Sequence, residues 1–516
     1  MDNYSSIVLR VENNVTYIDG KLDKDIYKEL KKELGYLPED SYWMIESHKN
    51  KYSNKRGEEW RKEWDGRITT VCWNQASCKC HIKKSGTHFP TGLFRKAEQL
   101  FKENGISYSV KDIRKKSQKT HNFSMSEKFE VRDYQEEIVQ KALKVDRGII
   151  KASTGSGKTP IASRIIAERG IVPAIFYVPS IDLLIQAKNE LEKFIRYQGM
   201  PLKIGMIGGG SKQIEDITVM TIQTAVRALG GVWTKFDDED KDDKTDIEDI
   251  KEEIVSLIRN AKLTIGDECQ CWAAETCQII SDNSISAQYK WGASATPYRD
   301  KNDDILLEGC VGKVVADINA SFLIKKGFLV KPTIFFIPVK NKNKIGVNSY
   351  SNVYKTYIVE NEVRNNCIAE MAIGYAEKGR NVLILCKQIS HGKILEKMIL
   401  NSTFLHGSCS GKKRKEHLDK MRRGEARLTI ASVIFDEGIN VRPLDTLILA
   451  GSGKSSTRAL QRIGRILRPY TGKEGAIVVD FMDRCKYLQG HSKKRLQIYR
   501  TEPEFEIIEL SAIQGV

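Results

Sequence analysis

The sequence predicts an α/β protein with two tandem lobes, each built on a parallel sheet covered by helices, and a small α+β domain at the N-terminus. Three observations lead to this prediction. The chain has 516 residues, which is too long for a single hydrophobic core. From Phe129 onward, apolar runs of strand length alternate with helical stretches, and the same alternation restarts after Lys331. Such alternation is typical of βαβ units, which place parallel strands beneath crossover helices.

Composition and the first residues limit the class of protein. Hydrophobic residues make up 41% of the sequence and charged residues 29%, which is the balance of a folded globular protein. No apolar run is long enough to cross a bilayer. The first residues lack the basic start and apolar middle of a secretory signal. We therefore expect a protein that makes no membrane contact and acts in the reducing cytoplasm, which is the host's cytoplasm if the protein is viral.

The eleven cysteines leave metal binding as an alternative. A chain of this length without a secretory signal is not expected to use a disulfide framework, so most cysteines should be buried as small apolar side chains. Cys78, Cys80 and His81 could form half of a zinc site, with Cys72 upstream. Because no second pair of ligands follows at zinc-finger spacing, we assign no metal to these cysteines, and whether they bind one stays open.

Charge indicates a polyanionic partner. The chain has 83 lysines and arginines against 67 aspartates and glutamates, giving a formal net charge of +16. An excess of basic residues favours nucleic acid, whose phosphates such side chains contact. The acidic segment 237–253 opposes this trend and interrupts the first lobe between two predicted strands. We expect this segment to be a solvated surface insertion.

The pattern of elements divides the chain into three parts. Residues 1–125 should form an accessory domain, residues 126–316 the first lobe, and residues 317–516 the second lobe with a basic tail. The polar, basic stretch Lys111–Asn122 is expected to be a linker. In the accessory domain, short β-like runs predict strands at Ser6–Val11 and Ile68–Trp73. Helical patterns predict helices at Asp25–Leu34 and Leu93–Asn104. In the lobes, apolar runs predict strands at Gly148–Lys151, Pro173–Val178, Leu263–Gly266, Asn381–Cys386, Arg427–Ser432, Thr446–Leu449 and Ala476–Asp480.

The segment ASTGSGKT, residues 152–159, predicts a phosphate-binding loop. It follows a predicted strand and precedes a helical stretch, which is the context that a P-loop requires. Small residues let the backbone amides turn toward phosphate oxygens, and the helix offers its positive N-terminal end. Lys158 can then reach the β and γ phosphates of ATP, and Thr159 can hold Mg²⁺. The residues of this loop assigned to ATP are Ser153, Thr154, Gly155, Ser156, Gly157, Lys158 and Thr159.

A pair of carboxylates completes the predicted ATP site. A P-loop hydrolase needs one acid to position Mg²⁺ and another to orient the attacking water. Asp267 and Glu268 follow the apolar run that begins at Leu263. We predict Asp267 as the metal contact and Glu268 as the general base.

From Phe129 to Asp483, these and further motifs resemble those of the superfamily 2 helicases. The resemblance implies two RecA-like lobes that use ATP to move along nucleic acid. The segment 129–135 is similar to the family's adenine-reading element, which implies that Arg132 and Gln135 contact the nucleotide. The acid pair resembles a DExH box in which Gln270 replaces the usual histidine, and this puts in doubt only how tightly hydrolysis follows nucleic-acid binding. Ser294 and Thr296 match the motif that couples hydrolysis to movement.

The resemblance also implies contacts to the nucleic-acid backbone. Segments 178–180, 221–224 and 405–407 match motifs of the family, and segment 438–440 matches a later motif in which Gly438 is assigned to the nucleotide. The nucleic-acid contacts implied in the two lobes are Pro179, Ser180, Thr221, Gln223, His406, Gly407 and Ser432.

Segment QRIGRILR, residues 461–468, matches the family's final motif. The resemblance implies catalytic roles for Gln461, Arg465 and Arg468. Because the two arginines are three residues apart, we expect them on one helix face, pointing across the cleft at the γ-phosphate. Their fixed charge would stabilise the transition state of phosphoryl transfer. The alternative is a basic helix bound to the phosphate backbone.

Residues 60–68 (WRKEWDGRI) are similar to the Trp-Asp-Gly-Arg element in the N-terminal domain of phage helicases of the UvsW type. Those enzymes are implicated in branch migration, fork regression and R-loop removal. On this basis Arg67 should bind phosphate, while Trp60 and Trp64 stack on unpaired bases. The alternative is that both tryptophans pack in a small β-rich core.

A helical stretch near the C-terminus, residues 484–500, interleaves basic residues with Tyr487 and Tyr499. It either lines the nucleic-acid track or is a solvated helix.

Together these motifs predict an ATP- and Mg²⁺-dependent DNA helicase or translocase. It should act as a monomer on forked, branched or duplex DNA, with an RNA–DNA hybrid as a further substrate. The alternatives are an RNA or R-loop helicase, a duplex-DNA translocase that does not separate strands, and a non-enzymatic nucleic-acid-binding module. A 3′ to 5′ polarity follows from the resemblance alone.

Overall fold

A computed structural model describes residues 7–52, 65–72, 86–232, 245–273, 275–298, 302–341, 349–432, 441–451, 453 and 456–514. The chain divides into two compact units. Apart from short loop segments, the first unit ends at Asp317 and the second begins at Ile318. The N-terminal region belongs to the first unit, and the division into three domains stays a prediction. Within the described residues, no helix is long and apolar enough to cross a membrane.

The N-terminal region combines a sheet with packed helices. Its elements are β1 (Ile7–Val11), β2 (Val15–Asp19), α1 (Lys24–Glu33), β3 (Gly35–Tyr36), α2 (Ser41–Tyr52), β4 (Ile68–Thr69), β5 (His88–Pro90), α3 (Phe94–Glu103) and β6 (Tyr108–Asp112). The sheet order is β5-β2-β1-β6, with β1 antiparallel to β2 and parallel to β6. Leu9, Leu30 and Phe101 share one buried cluster, which joins β1 to α1 and α3. The predicted linker therefore begins too early, because Lys111 lies in β6 and pairs with Arg10 of β1.

The first lobe has an eight-stranded sheet in the order β13-β12-β14-β9-β15-β16-β8-β17. Its elements are β7 (Phe123–Met125), α4 (Asp133–Leu143), β8 (Arg147–Ala152), α5 (Lys158–Arg169), β9 (Ala174–Val178), α6 (Ile181–Phe194), β10 (Ile195–Tyr197), β11 (Met200–Pro201), β12 (Gly205–Gly208), β13 (Ser211–Gln213), β14 (Ile217–Thr221), α7 (Ile222–Ala228), α8 (Lys251–Asn260), β15 (Leu263–Asp267), α9 (Glu275–Asn283), β16 (Tyr289–Ser294), α10 (Asp304–Val311) and β17 (Val314–Ile318). The pairings from β12 through β8 are parallel.

The second unit repeats this plan. Its elements are α11 (Ala320–Lys325), β18 (Pro332–Lys340), α12 (Tyr350–Tyr354), α13 (Glu362–Glu377), β19 (Val382–Leu385), α14 (Ile389–Met398), β20 (Thr403–Leu405), α15 (Gly411–Arg422), β21 (Leu428–Ala431), β22 (Thr446–Leu449), α16 (Ser456–Ile466), β23 (Ala476–Asp483), α17 (Leu488–Tyr499), β24 (Glu506–Glu509) and β25 (Ile513–Gln514). The sheet order is β20-β21-β19-β22-β23-β18-β24, and β25 also pairs with β18. The predicted fold class, two parallel-sheet α/β lobes with a small N-terminal region, is confirmed.

The acidic segment 237–253 is not wholly a solvated insertion. Residues 237–244 lie outside the described part of the chain. Thr245 is buried, and its hydroxyl oxygen accepts a hydrogen bond from the amide of Gly210 at 2.8 Å. Ile247 is buried in the core of the lobe, and α8 begins at Lys251. The second half of the segment therefore belongs to the fold, because apolar residues between the acids anchor it.

The basic helix near the C-terminus is anchored rather than freely solvated. Tyr499 is fully buried, and its hydroxyl donates to Asp480 at 2.8 Å. The buried guanidinium of Arg495 donates to both oxygens of the same carboxylate, at 2.8 and 2.9 Å. These bonds hold α17 on β23, since a buried charge needs a partner of opposite sign. Tyr487, in contrast, is 44% exposed just before the helix begins.

Lys290 is a buried cation on β16, and we expect it to limit stability. Its side chain is 1% exposed, and burial lowers the pKa of Lys290 to about 7. An unfolded lysine titrates at about 10.4, so the unfolded state binds the additional proton between these values and stability is lost as pH falls through them. Lys290→Met should raise the free energy of unfolding at pH 7 by about 1 to 3 kcal/mol and by less at pH 9.5.

Urea unfolding at both pH values measures this effect. Lys325→Met is the control, because the Lys325 side chain is 66% exposed. This substitution should change the free energy of unfolding little at either pH. An equal gain from both substitutions, or a gain from Lys290→Met that does not shrink at high pH, contradicts the prediction.

Candidate active site

Three loops that carry predicted site residues begin at the carboxyl ends of neighbouring strands. The strand order β15-β16-β8 places these ends side by side. The register pairs Asp267 with Ala293 and Ser294 with Lys151, so the strands end nearly level. Ligands of open α/β sheets bind at this edge. The P-loop, the acid pair and Ser294 therefore lie along one edge of the sheet.

The P-loop has the backbone shape that phosphate binding needs. Gly155 and Gly157 have φ angles of 88° and 81°, in the left-handed region that favours glycine. A Cβ atom added to Gly157 would lie only 2.4 Å from the side-chain amide nitrogen of Gln135. Lys158 is the first residue of α5, whose N-terminal amides point outward. The loop and the helix end thus form a cradle for phosphate oxygens.

The predicted adenine-reading element lies against the P-loop. Gln135 is 5% exposed, and the contact with Gly157 places its side chain next to the start of α5. Its side-chain oxygen accepts a hydrogen bond from the amide of Arg132 at 3.1 Å. The guanidinium of Arg132 donates to the hydroxyl of Tyr134 at 3.1 Å. These bonds give the two residues assigned to the nucleotide fixed positions at the same end of the sheet.

The acid pair is arranged to hold a cation. Asp267 is 8% exposed, and burial together with the neighbouring Glu268 raises the pKa of Asp267 to about 6, although Lys158 acts in the opposite direction. Its carboxylate accepts a hydrogen bond from the amide of Glu268 at 3.0 Å. A divalent cation would supply the positive charge that this carboxylate lacks, and carboxylate oxygens are suitable ligands for Mg²⁺. Glu268 is half-buried at the edge, with a φ of 46° that turns the chain away from the strand.

Gln270 bridges the acid pair to Ser294. Its side-chain nitrogen donates to Glu268 at 3.0 Å, and its side-chain oxygen accepts from the hydroxyl of Ser294 at 2.6 Å. The Ser294 hydroxyl oxygen in turn accepts from the amide of Thr296 at 3.0 Å. An amide side chain both donates and accepts without titrating, so glutamine can keep this connection at any physiological pH.

Most side chains predicted to contact nucleic acid from the first lobe also serve the fold. Ser180 caps the N-terminus of α6 by accepting from the amide of Leu183 at 3.4 Å. Thr221 is 1% exposed and caps α7, and Gln223 is 7% exposed. Pro179 is half-buried. Their contacts to nucleic acid stay predictions.

The residues of the second unit that are predicted to contact nucleic acid or the nucleotide differ in their surroundings. His406 is half-buried and packs on Phe404, with ring centroids 4.9 Å apart. Gly407 is exposed, whereas Ser432 is 2% exposed. Gly438 lies outside the described residues. The structure thus leaves Gly407 with the most accessible surface among the described members of this group.

The two predicted arginine fingers do not share a helix face. Helix α16 ends at Ile466, so Arg465 lies in its last turn and Arg468 lies beyond it. Pro469 explains this end, because a residue before proline is disfavoured in the helical conformation. The carbonyl of Arg468 accepts a hydrogen bond from Lys473 at 2.9 Å, which holds the turn. Gln461, Arg465 and Arg468 are all half-buried.

Several N-terminal predictions fall outside the described residues. These are Trp60, Trp64, Cys78, Cys80 and His81. Arg67 is described, and its guanidinium donates to the carbonyls of Lys32 and Gly35 at 3.3 and 3.4 Å. The side chain therefore supports the domain's own fold, and its contact to phosphate stays a prediction. In the described part of the chain, no group of three or more His, Cys, Asp or Glu side chains could hold a metal.

Two aromatic residues that sequence reasoning missed are displayed on α2. Tyr42 and Trp43 are 66% and 72% exposed, and their rings form an edge contact with centroids 5.5 Å apart. The predicted Trp-Asp-Gly-Arg element supports this helix, because a Cβ atom on Gly66 would lie 2.9 Å from Ile45. Nothing in the local pattern distinguishes an exposed aromatic pair from a buried one, since exposure is set by tertiary packing.

The sheets and the edge site define a P-loop ATPase with two parallel-sheet lobes. Sequence profiles support a narrower class: the family described as type III restriction enzyme, res subunit, matches residues 128–299. The helicase conserved C-terminal domain matches residues 363–470. The chain belongs to the superfamily 2 helicases and is an ATP-dependent enzyme of that family.

Individual relatives agree with this assignment. The chain is 27% identical to DNA 3'-5' translocase XPB2 of Sulfurisphaera tokodaii, over 67% of this chain and 80% of the relative. It is 24% identical to ATP-dependent DNA helicase uvsW of Enterobacteria phage T4, over 85% of this chain and 89% of the relative. Among solved structures, a putative HsdR subunit of a type I restriction enzyme from Vibrio vulnificus YJ016 has a TM-score of 0.53 at 16% identity. That match covers 74% of this chain and 68% of the other, and it bears on the fold alone.

Proposed function

We propose that this protein is a DNA helicase that unwinds or branch-migrates forked and junction DNA during replication, recombination or repair. The observation that carries the proposal is the extent of the similarity to the phage T4 DNA helicase. It covers 85% of this chain, and residues 128–516 alone are too few to make up that share. The similarity therefore reaches into the N-terminal region as well as the motor. The formal charge of +16 supports a nucleic-acid partner.

In the proposed cycle, the P-loop amides and Lys158 bind the phosphates of ATP, while Thr159 and Asp267 would hold Mg²⁺. ATP would supply the phosphoryl group whose transfer to water drives the motor, and Mg²⁺ would neutralise charge on its phosphates. Glu268 orients this water and accepts its proton, because it follows the metal ligand Asp267 at the carboxyl end of the strand and is only half-buried there. Arg465 and Arg468 supply positive charge to the γ-phosphate in the transition state.

The N-terminal region is proposed to engage the branch point. Unpaired bases at a fork present flat faces, and exposed aromatic side chains bind such faces without regard to sequence. Tyr42 and Trp43 supply the described aromatic surface for this contact. DNA backbone contacts from the two lobes would add the sequence-independent part of the affinity.

A duplex-DNA translocase that does not separate strands is the second candidate. The similarity to the Sulfurisphaera tokodaii translocase favours it, and that relative's name also supports a 3′ to 5′ direction. Both candidates share the same motor, so they differ in what happens to the second strand.

A substrate panel tests the proposal. The purified protein is incubated with ATP and Mg²⁺ on forked duplexes, four-way junctions, blunt duplexes, RNA–DNA hybrids and structured RNA. We expect strand separation or branch migration on forks and junctions, and little on structured RNA. ATP hydrolysis with displacement of a duplex-bound protein block, but without strand separation, would favour the translocase. Preference for structured RNA over every DNA substrate would reject the proposal.

Arg468→Ala tests the predicted arginine finger. We expect ATP affinity within about threefold of wild type and hydrolysis lowered by about 100-fold or more, because the guanidinium acts on charge that develops in the transition state. Fluorescent-nucleotide binding and steady-state turnover measure the two effects. Arg500→Ala is the control, since the Arg500 side chain is 62% exposed on the same unit. Normal turnover in Arg468→Ala removes this residue from the site.

A further inference from the structure

Helix α10 of the first unit contacts both the active-site loops and the N-terminal region. Ile305 at its start belongs to the buried cluster of the N-terminal region. Cys310 and Val311 at its end belong to the cluster that contains Trp272, just after the acid pair. The N-terminal chain approaches so closely that a Cβ atom on Gly92 would lie 2.0 Å from the carbonyl oxygen of Glu308. One short helix therefore packs against both parts.

The carboxylate of Glu308 on α10 makes one hydrogen bond and one ion pair, to two different elements. One carboxylate oxygen accepts from the hydroxyl of Tyr298 at 3.2 Å. The other forms an ion pair with the ammonium of Lys96 on α3 at 3.0 Å. The Glu308 side chain is 14% exposed and that of Lys96 is 34% exposed. A pair this shielded is screened less than a surface pair, so it can hold two elements in register.

The Tyr298 end of this connection leads back to the general base. Tyr298 follows Thr296 by two residues, and the amide of Thr296 is bonded to Ser294, which is bonded through Gln270 to Glu268. Burial and the adjacent Glu308 carboxylate raise the pKa of Tyr298 above its ordinary value, so the hydroxyl remains a donor at physiological pH. The segment between Ser294 and Tyr298 is thus fixed at both ends by side-chain hydrogen bonds.

We propose that Glu308 is a positioning residue that ties the N-terminal region to the segment Ser294–Tyr298. Rearrangement of that segment when Glu268 takes a proton from the attacking water is transmitted through Tyr298, Glu308 and Lys96 to α3. The inference rests on the proposed function, because it assigns a purpose to the N-terminal region during strand separation. Side-chain hydrogen bonds and ion pairs that link packed elements are one physical form that such coupling takes.

A double-mutant cycle tests the inference. Lys96→Met cuts the connection on the N-terminal side, and Tyr298→Phe cuts it on the active-site side while keeping the ring. Base pairs separated per ATP hydrolysed are measured on a forked duplex, together with ATP hydrolysis in the absence of DNA. We expect each variant to lower the number of base pairs per ATP by about threefold or more, with DNA-free hydrolysis within about twofold of wild type.

The double variant should be no worse than the stronger single variant, because both substitutions interrupt one path. Lys102→Met is the matched control on the same helix, since the Lys102 side chain is 64% exposed and pairs with Glu98 at 3.6 Å. Its coupling should equal that of wild type. A double variant whose losses multiply, an equal loss in Lys102→Met, or unchanged coupling in both single variants would overturn the inference.

A wild-type protein that hydrolyses ATP without opening forks would count against the proposed function and not against this connection. In that case the same variants are compared for stimulation of ATP hydrolysis by DNA. We expect the stimulation to fall by about threefold or more in both single variants and no further in the double variant. Stimulation equal to that of wild type would overturn the inference independently of strand separation.

Discussion

Lys158→Ala should abolish ATP hydrolysis while leaving the protein folded. Lys158 is the first residue of α5, beside the glycine turns at Gly155 and Gly157, and it is half-buried at the edge of the sheet. Its ammonium is placed to bind phosphate rather than to fill the core. Loss of a charged group that stabilises the reacting phosphates should lower turnover by about 100-fold to 1000-fold.

Turnover with saturating DNA and the midpoint of thermal unfolding measure these two effects. Lys188→Ala is a matched control, because Lys188 is a partly buried lysine of α6 that pairs with Glu192 at 2.6 Å. It should keep hydrolysis. Lys158→Arg retains the charge and serves as a second variant in case the alanine variant does not fold. Full turnover in a folded Lys158→Ala protein would mean that the glycine-rich turn is not the catalytic phosphate site.

The strands of the two lobes could be predicted because their signal is local. A strand buried on both faces of a parallel sheet is a continuous apolar run, and the run Thr446–Leu449 has the same bounds as β22. The P-loop is equally local, since its glycines, lysine and threonine are adjacent in sequence. The shared edge of the P-loop and Asp267 then follows from topology, because carboxyl ends of parallel strands face the same way.

Side-chain environments could not be predicted in the same way. Basic residues and tyrosines at helical spacing suggested an accessible face, yet Arg495 and Tyr499 are buried on Asp480. Asp480 lies on strand β23, whereas Arg495 and Tyr499 lie on helix α17, so the pairing depends on the tertiary fold. The displacement of Arg468 from the helix has a local signal in Pro469, which disfavours the helical conformation of the residue before it. The prediction of a shared helix face used only the three-residue spacing of the arginines.

Gln270 shows how geometry adds to a motif. Sequence comparison with a DExH pattern identifies only that histidine is absent, and it leaves the strength of coupling open. In the structure the amide of Gln270 joins Glu268 to Ser294, at 3.0 and 2.6 Å. A histidine would make both bonds only in one tautomer, whereas an amide carries a donor and an acceptor at once. The substitution is therefore compatible with the coupling role predicted for Ser294 and Thr296.

Asp267→Asn should remove hydrolysis and at the same time stabilise the protein without nucleotide or metal. In the native protein the pKa of Asp267 is raised to about 6, chiefly by burial and then by Glu268. An unfolded aspartate titrates at about 3.9, so between these values the native state holds a proton that the unfolded state has lost. The free energy of unfolding therefore falls as pH rises through this window, and at pH 7 the full cost of the buried charge is present.

Asparagine has nearly the same shape and no charge, so the variant should gain about 1 to 2 kcal/mol at pH 7. The gain should shrink toward zero near pH 4, where aspartate is protonated in the native state and increasingly so in the unfolded state. Urea unfolding at pH 4, 5.5 and 7, in chelator, measures it. The order should reverse with ATP and Mg²⁺, because the wild-type carboxylate binds the cation and gains ligand stabilisation that asparagine cannot match. A variant that is less stable at pH 7 in chelator, or equally stabilised by ATP and Mg²⁺, would show that Asp267 is a structural acid. The carboxyl end of β15 would then need a different metal ligand.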